Sequence, residues 1–88
     1  MTKKTTLIIQ NRLGLHARPA ALFVQMANRF KSEIEVSKGR TKVNGKSIMG
    51  IMTLAAGRGC QITLQATGPD GAKAIASLTK LIRANFGE

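Results

Sequence analysis

The chain is poor in the residue types from which many small active sites are built. Its 88 residues include one cysteine (Cys60), one histidine (His16) and four acidic residues. These are too few to make a metal cluster or a catalytic triad a well-supported interpretation. A lone cysteine cannot form an intramolecular disulfide, which agrees with a reducing compartment. We therefore expect neither a metal nor a cofactor.

Charge of one sign is nearly missing, because fourteen Lys and Arg residues stand against four acidic ones and give a net charge of +10. Such a charge attracts acidic partners or nucleic acid. The basic residues are scattered from Lys3 to Arg83, and the chain has neither tryptophan nor tyrosine to stack bases. Nucleic acid is therefore not an expected partner, and a small basic nucleic-acid-binding domain stays only as an alternative.

Long apolar runs are also absent from the sequence. No segment approaches the length of a membrane span, and the run Leu7–Ile9 is too short for the apolar core of a signal peptide. We therefore predict a cytoplasmic protein without membrane insertion. The length predicts one domain over residues 1–88, with a modest core and no room for a deep enzyme cleft.

Four short segments have the composition or the alternation of half-buried strands. They cover residues 5–10, 33–37, 41–43 and 60–66, and the last of these alternates most regularly. Gly39 lies between the second and third segments, which predicts a tight hairpin there.

Helical spacing of apolar residues predicts three amphipathic helices. The first covers residues 17–30, with Pro19 in its first turn, while Ser47 and Asp70 are candidate N-caps of the second and third. The predicted buried stripes are Pro19, Ala20, Phe23, Met26, Ala27 and Phe30 in the first helix, Ile48, Ile51 and Met52 in the second, and Ile75, Leu78 and Ile82 in the third.

The predicted order of elements is β-α-β-β-α-β-α. Half-buried strands need a cover on one face, and amphipathic helices can supply it. We therefore predict an α+β fold, an open-faced β-sandwich in which a four-stranded antiparallel sheet is covered on one face by three helices.

The histidine stands directly before the first predicted helix, in the segment NRLGLHARPAA. At a helix start the backbone N–H groups of Ala17 and Arg18 favour an anion. The Arg18 guanidinium can approach a phosphoryl group, a neutral His16 ring can attack phosphorus, and Gly14 allows a turn that exposes the ring. These residues suit phosphoryl uptake by His16. A surface or capping histidine remains the alternative from the residues alone.

Two segments, Asn11–Ala20 and Lys46–Met52, resemble the active-site loop and the regulatory-serine segment of one family. This is the HPr family, the histidine-containing phosphocarriers of the bacterial phosphoenolpyruvate-dependent phosphotransferase system. The resemblance extends over essentially the whole chain. It implies that His16 accepts the phosphoryl group on Nδ1 and that Arg18 helps to hold the phosphate. It also implies a donor, enzyme I, and acceptors, enzyme IIA components in sugar uptake, so that the chain is a carrier and no autonomous enzyme.

The same resemblance implies regulation at Ser47 by HPr kinase/phosphorylase, which uses ATP. From the residues alone, Ser47 could equally be a plain N-cap. Phosphate there would add about −1.5 to −2 charges, and is expected to attract a basic partner such as a transcriptional regulator.

A partner patch is also implied by the resemblance, made of Ala21, Ile48, Met49 and Met52. The residues alone leave Met49 and Met52 open between core filler and an adaptable surface. Another alternative is a nitrogen-branch regulatory paralogue, which would use the same histidine motif, whereas the Ser47 segment favours a sugar or carbon-regulatory protein. A monomer is expected.

Overall fold

The predicted order of strands and helices is confirmed by the computed structural model, which describes residues 1–87. The elements are β1 (Thr2–Ile8), α1 (Ala17–Ala27), β2 (Glu33–Lys38), β3 (Thr41–Asn44), α2 (Ile48–Thr53), β4 (Gln61–Thr67) and α3 (Gly71–Arg83), followed by a 3₁₀ turn over Asn85–Gly87.

The four strands form one antiparallel sheet in the order β1-β4-β2-β3. Leu7 of β1 is opposite Ile62 of β4, and Val36 of β2 is opposite Leu64 of β4. Because side chains alternate across a strand, these four point to the same face of the sheet, and all four are buried. The three helices cover that face, so the predicted open-faced β-sandwich is confirmed.

Strand ends differ from the predicted ones: β1 covers Thr2–Ile8 instead of residues 5–10, and the ends of the other strands differ by at most one residue. β1 already begins at Thr2, because Thr2 pairs with Thr67 and the two hydroxyls lie 3.2 Å apart. Beyond β1, Ile9 N donates to the carbonyl of Cys60 at 2.9 Å. The β2–β3 hairpin turns at Gly39, whose φ of +58° lies in the region that glycine adopts readily.

The core lies between the sheet and the buried sides of α1 and α3. Phe23 of α1 is one of its two phenylalanines, and burying such a side chain contributes roughly 1.5–3 kcal/mol. Three residues predicted for the buried stripes, Met26, Phe30 and Ile75, are only half-buried. α1 ends at Ala27, so Phe30 lies in the turn after it.

The predicted inward face of α2 is wrong for two of its three residues. Ile51 is fully buried, whereas Ile48 is 44% and Met52 41% exposed. At about 100° per residue, Ile48 stands about 60° and Met52 about 100° away from Ile51 around the helix. This helix of six residues contacts α1 and β3 through a narrow side, and that side holds only Ile51 of the three.

Asp70 occupies the N-cap position of α3, but its side chain does not cap that helix. The carboxylate instead accepts hydrogen bonds from the Ser32 hydroxyl (2.5 Å), the Lys31 amide (2.9 Å) and the Ser32 amide (2.9 Å). The bond from the Ser32 hydroxyl, followed by that from the Lys31 amide, lowers the pKa of Asp70 to about 2. Asp70, predicted as the cap of α3, therefore links the start of α3 to the turn before β2 through its side chain.

Candidate functional site

His16 stands at the N-cap of α1, between an extended backbone and the first helical turn. Its φ and ψ are −77° and −174°, and its carbonyl accepts the hydrogen bond from Ala20 N at 3.0 Å. The imidazole makes no side-chain capping bond to the helix, and it is half-buried. The backbone thus begins the helix without using the ring as its cap.

The loop that leads to His16 is closed by a buried asparagine. Asn11 Nδ2 donates to the carbonyl of Gly14 at 2.7 Å, and Gly14 N donates to the carbonyl of Asn11 at 3.1 Å. This turn needs a φ of +66° at Gly14, which glycine tolerates because it has no Cβ. The turn therefore fixes the chain two residues before His16.

A second loop, between α2 and β4, holds the first one in place. Leu15 N donates to the carbonyl of Ala56 at 2.9 Å. Gly14 lies so close to the same loop that a Cβ on it would stand 2.6 Å from Cα of Gly57. His16 is therefore positioned by two loops that are far apart in sequence and packed backbone to backbone.

Together these loops form a shallow cavity of about 280 Å³ beside the imidazole. Its lining residues are Leu13, Leu15, His16, Met52, Ala55, Ala56 and Gly57. A larger depression of about 490 Å³ lies over β2 and β3, but none of the predicted site residues lines it. The smaller cavity is therefore the one relevant to His16.

Leu13 and Ala55 also line this cavity, and neither was predicted from the sequence. Leu13 is 67% exposed, which is unusual for a large apolar side chain. Both lie in loops, where no periodicity reports which way a side chain points. The only available signal was the closeness of Leu13 to His16 in the sequence.

The charges and free amides at the start of α1 favour an anion. Ala17 and Arg18 are its first two residues and both are exposed. Their amides belong to the group that has no acceptor inside a helix. The first turn contains no acidic residue, so the positive helix end and the Arg18 guanidinium are not neutralised there.

Ser47 is confirmed as the N-cap of α2, because its hydroxyl accepts a hydrogen bond from Gly50 N at 3.0 Å. Just after it, Ile48 and Met52 are partly exposed and Met49 is 73% exposed. Ala21 is half-buried on α1, which contacts α2. The structure thus places three apolar side chains of the predicted patch on the surface of α2, and Met52 also reaches the His16 cavity.

Other kinds of site find no support in the part of the chain that the structure describes. Within residues 1–87, no group of three His, Cys, Asp or Glu side chains could hold a metal ion. No helix in the same range is long and apolar enough to cross a membrane.

Comparison with known proteins gives one consistent family. The family model described as the PTS HPr component phosphorylation site matches residues 3–84. The Phosphocarrier protein HPr of Neisseria meningitidis serogroup B is 52% identical over 85 residues, covering 97% of this chain and 96% of its own.

Solved structures agree with that relative. HPr from Thermoanaerobacter tengcongensis has a TM-score of 0.95 at 53% identity, covering 98% of this chain and 97% of its own. Crh, a catabolite repression protein of Bacillus subtilis described as a dimer with a swapping domain, has a TM-score of 0.77 at 46% identity, covering 90% and 91%. The chain therefore belongs to the HPr family of phosphocarrier proteins of the phosphotransferase system.

Proposed function

We propose that the chain carries a phosphoryl group on Nδ1 of His16, between enzyme I and enzyme IIA components. The observation that carries this proposal is the position of His16 at the start of α1, with Arg18 in the first turn and no acidic residue beside it. In the first transfer, the bond from Nδ1 to phosphorus forms as the bond from phosphorus to the donor breaks. In the second transfer, the acceptor takes the phosphoryl group and the imidazole is regenerated.

The roles of the neighbouring groups follow from the charge that moves. A phosphoryl group brings negative oxygens to the helix start, where the amides of Ala17 and Arg18 can donate to them. The Arg18 guanidinium can add charge-assisted hydrogen bonds. In this proposal the protein is consumed and regenerated in turn, so it is a carrier and not an autonomous enzyme.

The test is incubation with enzyme I and labelled phosphoenolpyruvate. Wild type should gain about one acid-labile phosphate per chain, His16→Ala should gain none, and Arg18→Ala should be labelled about 10- to 150-fold more slowly, since one charged donor is typically worth about 1.5–3 kcal/mol. Arg29→Ala, just after the other end of α1, is the matched control and should be labelled at the wild-type rate. Stoichiometric labelling of His16→Ala would refute the assignment.

We further propose regulatory phosphorylation of Ser47 by HPr kinase/phosphorylase. The support is the place of the hydroxyl at a helix start, half-exposed and next to Ile48 and Met49. A phosphate there would put negative charge beside the proposed partner patch, Ala21, Ile48, Met49 and Met52, and so repel an acidic partner. A basic partner, such as a transcriptional regulator, would be attracted instead.

The kinase and ATP should therefore label wild type but not Ser47→Ala, and the Ser47 phosphate should slow transfer from enzyme I to His16. Thr53→Ala, at the other end of α2, is the matched control. Labelling of Ser47→Ala by the kinase would contradict the assignment.

The likeness to Crh gives weight to a second candidate, a regulatory paralogue that does not serve sugar uptake. Transfer from His16 to a sugar-specific enzyme IIA separates the two, because only a sugar carrier should perform it at a high rate. A nucleic-acid-binding domain would not be labelled at all.

Location and assembly complete the proposal: a cytoplasmic protein that acts as a monomer. A net charge of +10 opposes the approach of a second copy, although the related Crh structure is a dimer. Sedimentation equilibrium at low and high salt tests this, and a dimer at low salt would contradict it.

A further inference from the structure

Lys38, the last residue of β2, reaches from the hairpin to the end of α2. Its Nζ donates to the carbonyl of Leu54 at 3.1 Å and to the carbonyl of Ala55 at 3.2 Å. Leu54 is the C-cap of α2. Carbonyls at a helix C-terminus lack partners within the helix and carry partial negative charge, so an ammonium is well placed there. The lysine thus joins two elements that the sheet does not connect.

One of the two carbonyls belongs to a residue in an unfavourable backbone conformation. Ala55 has a φ of +49°, in the left-handed region that residues with a Cβ rarely adopt. Its side chain is exposed, so burial of that side chain does not enforce the conformation. What can hold this conformation is the pair of hydrogen bonds that its own backbone makes: Ala55 N donates to Met52 O at 3.1 Å, and Ala55 O accepts from Lys38 Nζ.

The next residue passes this restraint to the candidate site. The carbonyl of Ala56 accepts the hydrogen bond from Leu15 N, directly before His16. Ala55 and Ala56 both line the cavity beside the imidazole. Lys38 itself is not among the residues that line it, so any effect on His16 must pass through this loop.

We propose that Lys38 is a positioning residue for phosphoryl transfer, which holds the Leu54–Ala56 loop as the wall of the His16 cavity. The proposal rests on the carrier function of His16. Transfer requires the imidazole and the phosphorus of the donor to meet in a narrow range of distances and angles, and small displacements of a reacting group are costly. A loop fixed at Ala55 keeps Leu15, and with it His16, within that range.

The experiment compares Lys38→Met, which removes the ammonium but keeps the length, with Lys38→Arg, which restores charged donors. Lys42→Met is the matched control, since Lys42 is an exposed lysine on the adjacent strand. Its Nζ lies 3.9 Å from Oε1 of Glu35 and does not contact the Leu54–Ala56 loop through any hydrogen bond described above. Each variant is assayed with enzyme I for kcat and KM, and hydrogen exchange is measured at the Leu15 amide, a readout that does not depend on phosphoryl transfer.

Lys38→Met should lower kcat about tenfold with KM changed less than about twofold, and should speed exchange at the Leu15 amide about tenfold. Lys38→Arg should recover most of both, and Lys42→Met should change neither. Normal kcat in Lys38→Met would overturn the proposal, whether or not Leu15 exchanges faster. A rise in KM alone would also overturn it, because Lys38 would then act in docking. An unlabelled wild type would defeat the carrier function itself, which is a different failure.

Discussion

Replacing Gly14 by alanine is expected to force apart the two loops that hold His16. The added Cβ would overlap the carbonyl oxygen of Ala56 and would lie 2.6 Å from Cα of Gly57, where carbon atoms normally stay about 3.5–4.0 Å apart. Both contacts are backbone atoms, so no flexible side chain can swing away. The loop before His16 must therefore move, or the left-handed turn must open.

The expected loss of stability has two sources that can be separated. A residue with a Cβ pays about 1–2 kcal/mol for the left-handed conformation that Gly14 adopts at φ +66°. Displacing packed backbone atoms costs about 1–3 kcal/mol more, by analogy with overpacked cores. Together these give about 2–5 kcal/mol, against a total stability of about 5–15 kcal/mol for a small domain. Over most of these two ranges the variant therefore remains folded at room temperature.

Gly39→Ala is the matched control, since Gly39 has a similar φ of +58° but nothing within 4 Å of an added Cβ. It should lose only the conformational cost of about 1–2 kcal/mol. Urea denaturation of wild type and both variants measures each loss, and the difference between the variants isolates the contact with the Ala56–Gly57 segment. At this size 1 kcal/mol shifts Tm by about 4–8 °C, so thermal unfolding should rank them alike.

The same substitution should slow phosphoryl transfer from enzyme I, because Gly14 is two residues before His16 and shares its loop. Hydrogen exchange at the Leu15 amide should rise as the bond to the Ala56 carbonyl weakens. Equal losses of stability in Gly14→Ala and Gly39→Ala, with unchanged transfer, would refute the view that close packing of the two loops positions the imidazole.

Three other predictions concern the cap of α2, the acid limb of stability and the partner surface. Ser47→Ala should lower the free energy of unfolding in urea by about 1 kcal/mol, because Gly50 N loses its acceptor, while Ser47→Thr should keep most of the wild-type stability. An alanine variant as stable as wild type would contradict the role of Ser47 as a cap. Because the pKa of Asp70 is lowered from 3.8 to about 2, its contribution to the free energy of unfolding should be complete above the pKa of the unfolded chain and disappear as pH falls from about 4 towards 2. Asp70→Asn should weaken this loss of stability in acid, and an acid unfolding profile identical to that of wild type would show that the bonds to Ser32 and Lys31 do not contribute to stability. Met49→Asp should weaken binding to enzyme I in a surface plasmon resonance assay, and normal binding by this variant would show that Met49 is not in the interface. Higher salt should slow association of wild type if the surface of the donor is acidic.

The fold was predictable because its strands and longer helices carry strong local patterns. Ile62, Leu64 and Ala66 alternate along β4 and are all buried. Gly39 marks a hairpin that the register confirms. These patterns are strong because one face of each element meets the core and the other meets water.

The patterns fail where an element is short or where a side chain turns to a distant partner. The six residues of α2 are fewer than two turns, so spacing could not tell Ile51 from Ile48 and Met52. Asp70 stands where the sequence predicts a helix cap, but its carboxylate accepts a hydrogen bond from the hydroxyl of Ser32, which is far from it in the chain. No local rule contains the position of that hydroxyl.

The same limit applies to the site. The segment around His16 predicted a histidine at a helix start, and the structure agrees. The support from the α2–β4 loop, through Ala56 and the bond from Lys38 to Ala55, requires pairs of residues that approach only after folding. The place of His16 at a helix start was thus predictable from the sequence, but the contacts between loops that hold it there were not.

The starts of the three α-helices of residues 1–87 differ in the groups that stand there. At α2 the Ser47 hydroxyl already accepts the hydrogen bond from Gly50 N, and at α3 the N-cap residue is the negatively charged Asp70, whose carboxylate bonds to Ser32 and Lys31. At α1 the first turn holds Arg18 and no acidic side chain. A cation near a helix N-terminus is unfavourable by about 0.3–1 kcal/mol, and a bound phosphoryl group would remove that penalty. In the carrier function that we propose, the charges around α1 would therefore favour the phosphorylated form of His16 over the free one.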